Sequence, residues 1–130
     1  MEYLLIDMSE KSDIHLVLFD EEKKVEKNFE GQNRELLLCI DNFFIENNVV
    51  KENIKGIMVV VGVGTFTSTR IACVVANTFA FVLQIPLLAI GIDDIVKIQD
   101  LIPSLLEQPK GQYISATYSG EPNIGGKTLP

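Results

Sequence analysis

Histidine and cysteine are almost missing from this chain. Its 130 residues hold one histidine and two cysteines, too few for a metal centre built on paired Cys and His or for a disulfide framework. His15 falls in an expected strand with no cysteine or carboxylate pattern around it. Cys39 and Cys73 fall in expected helices, with no CxxC and no Cys/His context for a nucleophile. Bases are scarce too: 11 Lys and Arg stand against 18 Asp and Glu, a net charge of −7, with a pI of about 4.6. That balance excludes a nucleic-acid binder working through a basic surface. A basic segment leading into an early apolar run is also lacking, so the expected location is the cytoplasm. Charge of either sign is absent from residues 71–92, IACVVANTFAFVLQIPLLAIGI. A run of that length can cross a bilayer. Asn77 and Gln84 interrupt it, Pro86 breaks a helix, and the flanks lack a basic cluster. It reads instead as a buried helix ending at Gln84, a proline corner, and a short strand from Leu87 to Gly91.

What is present is apolar: 47% of the residues against 22% charged, with a mean hydropathy of +0.23. The length suits one domain with a real core. Strands are expected at Met1–Asp7, Ile14–Phe19 and the alternating Lys24–Phe29, forming an antiparallel meander with the last strand at or near an edge. Leu36, Leu37, Ile40, Phe43 and Phe44 recur at helical spacing from about Asn33 to Asn47. Ile57–Val61 is apolar throughout, the mark of a central strand covered on both faces. The Gly62–Gly64 loop and Thr65 as N-cap then open a helix to Gln84. The fold class is therefore α/β, a mixed sheet of about five strands in the order β-β-β-α-β-α-β with right-handed parallel crossovers. Ile92–Leu106 reads as a short helix interrupted at Pro103. The expected organisation is one lobe over residues 1–108 and an extended, Gly- and Pro-containing tail over 109–130.

Three features carry chemical meaning. Asp7 closes the first strand in LLIDMS, with the hydroxyl of Ser9 behind it, either as a carboxylate facing a bound phosphate or as an acid that ends a strand and caps a turn. Gly62-Val63-Gly64-Thr65-Phe66-Thr67-Ser68-Thr69-Arg70 joins a buried strand to a helix, where backbone amides can hold an anion. Thr67 occupies the third glycine of GxGxxG and no GK[ST] follows, so a tight capped turn is the other reading. Arg70 is the only charge between Lys55 and Asp93, and it must pair or reach solvent. Ala72, Ala76 and Ala80 recur every four residues in a helix that is apolar all round. Such a helix must be covered all round, by a second protein or by the chain's own tail.

Residues 62–72 resemble the GPGSFTGLRIG signature of the TsaB (YeaZ) family. Gly62, Gly64, Phe66, Thr67, Arg70 and Ile71 are identical to it and Thr65 is a close substitute, while Val63, Ser68, Thr69 and Ala72 depart from it. LLIDMS is similar to that family's LAIDTS. Glu35-Leu36-Leu37 is similar to its HSE-x-LL helix, with Asn33 in place of the histidine. The element order is likewise that of half an actin-like (ribonuclease H-like) ATPase.

The resemblance implies a degenerate, non-catalytic partner protein. Members of the family bind the paralogous TsaD, which transfers a threonylcarbamoyl group to the adenosine at position 37 of certain tRNAs; a TsaE-like ATPase also takes part. The expected function is a scaffold or activator subunit that docks its two helices on a TsaD-like catalytic subunit. A homodimer through the same helices is the alternative assembly. The expected contact residues are Leu37, Ile40, Phe44, Arg70, Val74, Val75, Ala76, Asn77 and Phe79. The family has two lobes and this chain reads as one, which leaves little interlobe cleft. No cofactor is therefore expected, and the composition and the interrupted apolar run already argue against a metal, a membrane span or direct nucleic-acid contact. The competing function is a small nucleotide- or phosphate-binding enzyme using Asp7, Ser9, Gly62 and Gly64, with the Gly62–Thr65 loop as its anion cradle.

Overall fold

The structure is a computed structural model that describes residues 1–10, 13–30, 35–62, 66–111 and 114. Asn33, Val63, Gly64, Thr65 and most of the expected tail lie outside the described residues.

Five strands, β1 (Tyr3–Asp7), β2 (Asp13–Phe19), β3 (Lys24–Glu30), β4 (Gly56–Val60) and β5 (Leu87–Ile90), form one sheet in the order β3-β2-β1-β4-β5. The meander β1–β2–β3 is antiparallel, whereas β4 joins β1 and β5 joins β4 in parallel. Every residue of β1 and β4 is buried. A strand in that position has elements on both of its faces, and alternate side chains feed two separate cores.

On one face Leu4, Ile6, Leu16, Leu18, Ile57 and Val59 meet α1 (Leu36–Glu46) and α2 (Phe66–Leu83). On the other, Tyr3, Leu5, Val17, Phe19, Met58 and Val60 meet Ile98, Ile102 and Leu105. These last three belong to a 3₁₀ run at Ile92–Leu101 and to α3 (Ile102–Leu106). The domain thus has three layers. β3 lies at one edge with only Val25 and Phe29 turned toward the first core.

Pro103 does not interrupt a helix as expected. It sits in the first turn of α3, where its missing amide proton would have had no partner anyway. The break falls earlier, at Lys97, whose φ of −124° leaves the helical region. Among the described residues no helix is long and apolar enough to cross a membrane. After α3 the chain comes back along the sheet's lower end: Lys110 bridges Pro86, and the Gly111 amide donates to the Ile85 carbonyl at 3.0 Å.

Candidate functional site

The parallel pairing of β1 with β4 brings the two sequence motifs to one end of the sheet, since both strands finish there. Asp7 closes β1, Gly62 follows β4, and α2 begins just beyond. Gly62 has φ +88°, a conformation that a side chain would strain. Asp7 is buried, and its partners all come from its own chain. Its Oδ1 accepts from the Ser9 amide at 2.9 Å and the Ser9 hydroxyl at 2.6 Å, and its Oδ2 faces His15 Nδ1 at 3.0 Å. The other ring nitrogen, Nε2, lies 2.7 Å from Glu26 Oε1. Burial pushes the Asp7 carboxyl up, but the bonds from His15 and Ser9 outweigh it, so the group lies below its usual 3.8. The bond to Asp7, offset in part by burial and reinforced by Glu26, holds the His15 imidazole above its usual 6.5. Ser68 and Thr69 in the first turn of α2 are buried. Among the described residues no His, Cys, Asp and Glu group is suited to a metal ion.

A second feature lies on the opposite side of the first core. α2 turns Ala72, Ala76 and Ala80 to the sheet, all with no exposed surface. These small side chains let the helix approach the strands closely. The larger side chains of α2 are thereby left outside: Val74, Phe81 and Val82 are 62%, 67% and 66% exposed. On α1, Leu37, Leu38 and Ile45 are exposed as well. Between the helices runs a groove of about 280 Å³, lined by Leu37, Val74, Val75, Phe79, Val82 and Leu83, with Lys51 and Thr78 at its margin. Of the exposed apolar side chains, Leu37, Val74 and Val82 are thus gathered along one groove rather than scattered singly.

Residues 30–99 match the family described as TsaD, tRNA N6-adenosine threonylcarbamoyltransferase. The chain belongs to the TsaD family. Within that family it is YeaZ-like (TsaB-like). YeaZ from Pseudomonas aeruginosa superposes with a TM-score of 0.64 at 27% identity, over 70% of this chain and 45% of that one. A second Pseudomonas aeruginosa structure, described as an uncharacterised protein with similarity to peptidase YeaZ, gives a TM-score of 0.62 at 27% identity, over 70% and 44%. The chain spans less than half the length of these structures. No curated protein matches it.

In this YeaZ-like chain the residues expected at the interface separate into two groups. Leu37 and Val74 are exposed, Arg70 lies on the exposed side of α2, and Val75 and Phe79 are half-buried at the groove. Ile40, Phe44 and Ala76 are corrections as exposed contacts: each is at most 5% exposed and packs in the first core. Asn77 is bound within the chain. Its amide donates to the Ile114 carbonyl and its carbonyl accepts from the Ile114 amide, both at 2.8 Å. Part of the covering of α2 is therefore supplied by the chain itself. His15 needs correction too, for it has two carboxylate neighbours. The signal for the first of them was the meander itself, because a symmetric hairpin between β1 and β2 sets Asp7 opposite His15.

Proposed function

We propose that this chain is a non-catalytic scaffold or activator subunit in the tRNA modification that forms N6-threonylcarbamoyladenosine at position 37. It would dock on a TsaD-like catalytic subunit through the exposed band of α1 and α2, with a TsaE-like ATPase as a further component and the cytoplasm as the place of work. The observation that carries this reading is the apolar groove between α1 and α2, on a chain of the TsaD family with YeaZ likeness. Of its six apolar lining residues, Leu37, Val74 and Val82 are exposed, and Val75, Phe79 and Leu83 are half-buried against the first core. The acidic composition supports an indirect role toward RNA.

The experiment is co-purification and calorimetry of this chain with a TsaD-like protein from the same source. A complex at micromolar concentration is the expected result, and none at that concentration would refute the proposal. Sedimentation across concentrations distinguishes a homodimer through the same face. The competing reading, a nucleotide- or phosphate-binding enzyme, draws on Asp7 and Gly62 sharing one end of the sheet. Against it, Asp7 already takes three hydrogen bonds from its own neighbours. Heat on titrating ATP, lost in Asp7→Asn, would favour that enzyme.

A further inference from the structure

We propose that His15 is a proton-operated clasp that fastens the edge strand β3 to the centre of the sheet: doubly protonated it bridges Asp7 of β1 and Glu26 of β3, and deprotonated it lets Glu26 go. Both ring nitrogens face carboxylate oxygens, at 3.0 and 2.7 Å. Carboxylates only accept, and a neutral imidazole has a single N–H to give. The two bonds together therefore require the imidazolium. The register explains why one side chain reaches both partners. His15 stands directly opposite Asp7 in the β1–β2 ladder, while Glu26 lies diagonal to it, opposite Val17.

The two ends of the clasp are unequal. The Asp7 side chain is 6% exposed and that of Glu26 is 53%. Freed from His15, Glu26 turns to water, whereas Asp7 would be left with a buried oxygen short of a donor. The remaining proton of a neutral ring therefore stays on Nδ1, toward Asp7, and Nε2 loses its hold on β3. On this face of the sheet β2 also carries Asp13, and β3 carries Lys24 and Glu30; among the described residues only Asp7 and Glu26 form ion pairs with the ring. β3 keeps a second tie on its opposite face, where Lys27 Nζ meets Glu46 of α1 at 2.8 Å. Releasing the clasp thus loosens β3 without detaching it.

The chain has a single histidine, so imidazole NMR on the intact labelled protein is unambiguous. Both ring nitrogens should carry protons below the titration, which should lie above 6.5, and the surviving proton at high pH should sit on Nδ1. Glu26→Gln should move the titration downward. Amide-exchange protection of β3, measured relative to β4, should fall as the ring deprotonates. In His15→Gln it should be low at every pH while the far-UV spectrum stays folded. A titration at or below 6.5, a surviving proton on Nε2, or β3 protection that follows pH equally in wild type and His15→Gln would each overturn the clasp.

Discussion

Two glutamates placed two residues apart on α2, and so on opposite sides of the helix, test which side of it meets the sheet. Val74 is 62% exposed and Ala76 not at all. Fully burying a valine contributes ~1.5–3 kcal/mol, so the third of it that Val74 hides represents about 0.5–1 kcal/mol. Glutamate is the better helix former by a few tenths of a kcal/mol. Lys51 lines the same groove and offers the new carboxylate a cation, worth at most ~1 kcal/mol at a surface. These contributions nearly cancel, and Val74→Glu should melt within about 0.5 kcal/mol of the wild type, as surface changes do. Ala76→Glu instead drives a carboxylate into an apolar layer with no partner. Burying one unpaired polar group there costs several kcal/mol, comparable with the ~5–15 kcal/mol that holds a domain together. The protein should lose its cooperative transition.

Binding should show a different pattern. If the groove is the docking site, Val74→Glu removes the valine's remaining surface from the interface and strips water from a charge. At about 1.4 kcal/mol per tenfold, association with the TsaD-like subunit should weaken by ~100-fold or more. The assays are a thermal melt followed by circular dichroism and calorimetry on the same preparations. A folded Ala76→Glu variant, or a Val74→Glu variant that binds as well as wild type, would refute the reasoning.

The His15–Asp7 pair makes stability depend on pH. His15 is raised in the folded state, so its contribution is complete below 6.5 and fades as pH climbs through the folded value; Asp7 is lowered, so its contribution is complete above 3.8 and fades as pH falls through its own. Stability from urea melts should therefore be highest between these two values and fall as pH rises through the folded His15 value, with that alkaline fall absent from His15→Gln. Gly56 allows no side chain, because a Cβ there would lie 2.6 Å from Leu105 Cδ2 and 3.0 Å from its Cγ. Gly56→Ala should cost ~1–3 kcal/mol by forcing Leu105 out of its rotamer, lowering Tm by several degrees. Asn77→Ala removes both hydrogen bonds to Ile114 and should speed amide exchange at Ile114 while leaving that of β4 unchanged.

The strands were legible because their chemistry is local. Ile57–Val60 can only be a strand covered twice, and the alternation at Val25 and Phe29 can only be an edge. The helices were legible as helices, but not in their orientation. Helical spacing marks a stripe without saying which side meets the sheet. The alanines of α2 looked like a place for a partner when their smallness serves close approach to the strands. Ile40 and Phe44 were misplaced for the same reason. The network around Asp7 was illegible because it depends on register across two strand pairs, which no spacing along the chain records. Pro103 misled because one residue type both ends helices and begins them. The exposed band of Val74, Phe81 and Val82 followed from the helix being apolar all round, and the structure showed which residues the core left over.

The place of β1 in the sheet bears on how the chain reaches this fold. Tyr3 faces Phe19 on one side and Gly56 on the other. The first pairing closes across a short turn, while the second must wait until all of α1 has been drawn in. Pairings between residues far apart in sequence form slowly. During that interval β1, wholly apolar except at Asp7, presents an open row of amides and carbonyls to any strand that arrives. A second copy of the chain carries the very strand β1 is waiting for, so folding yield should fall with protein concentration even where the finished domain is well behaved.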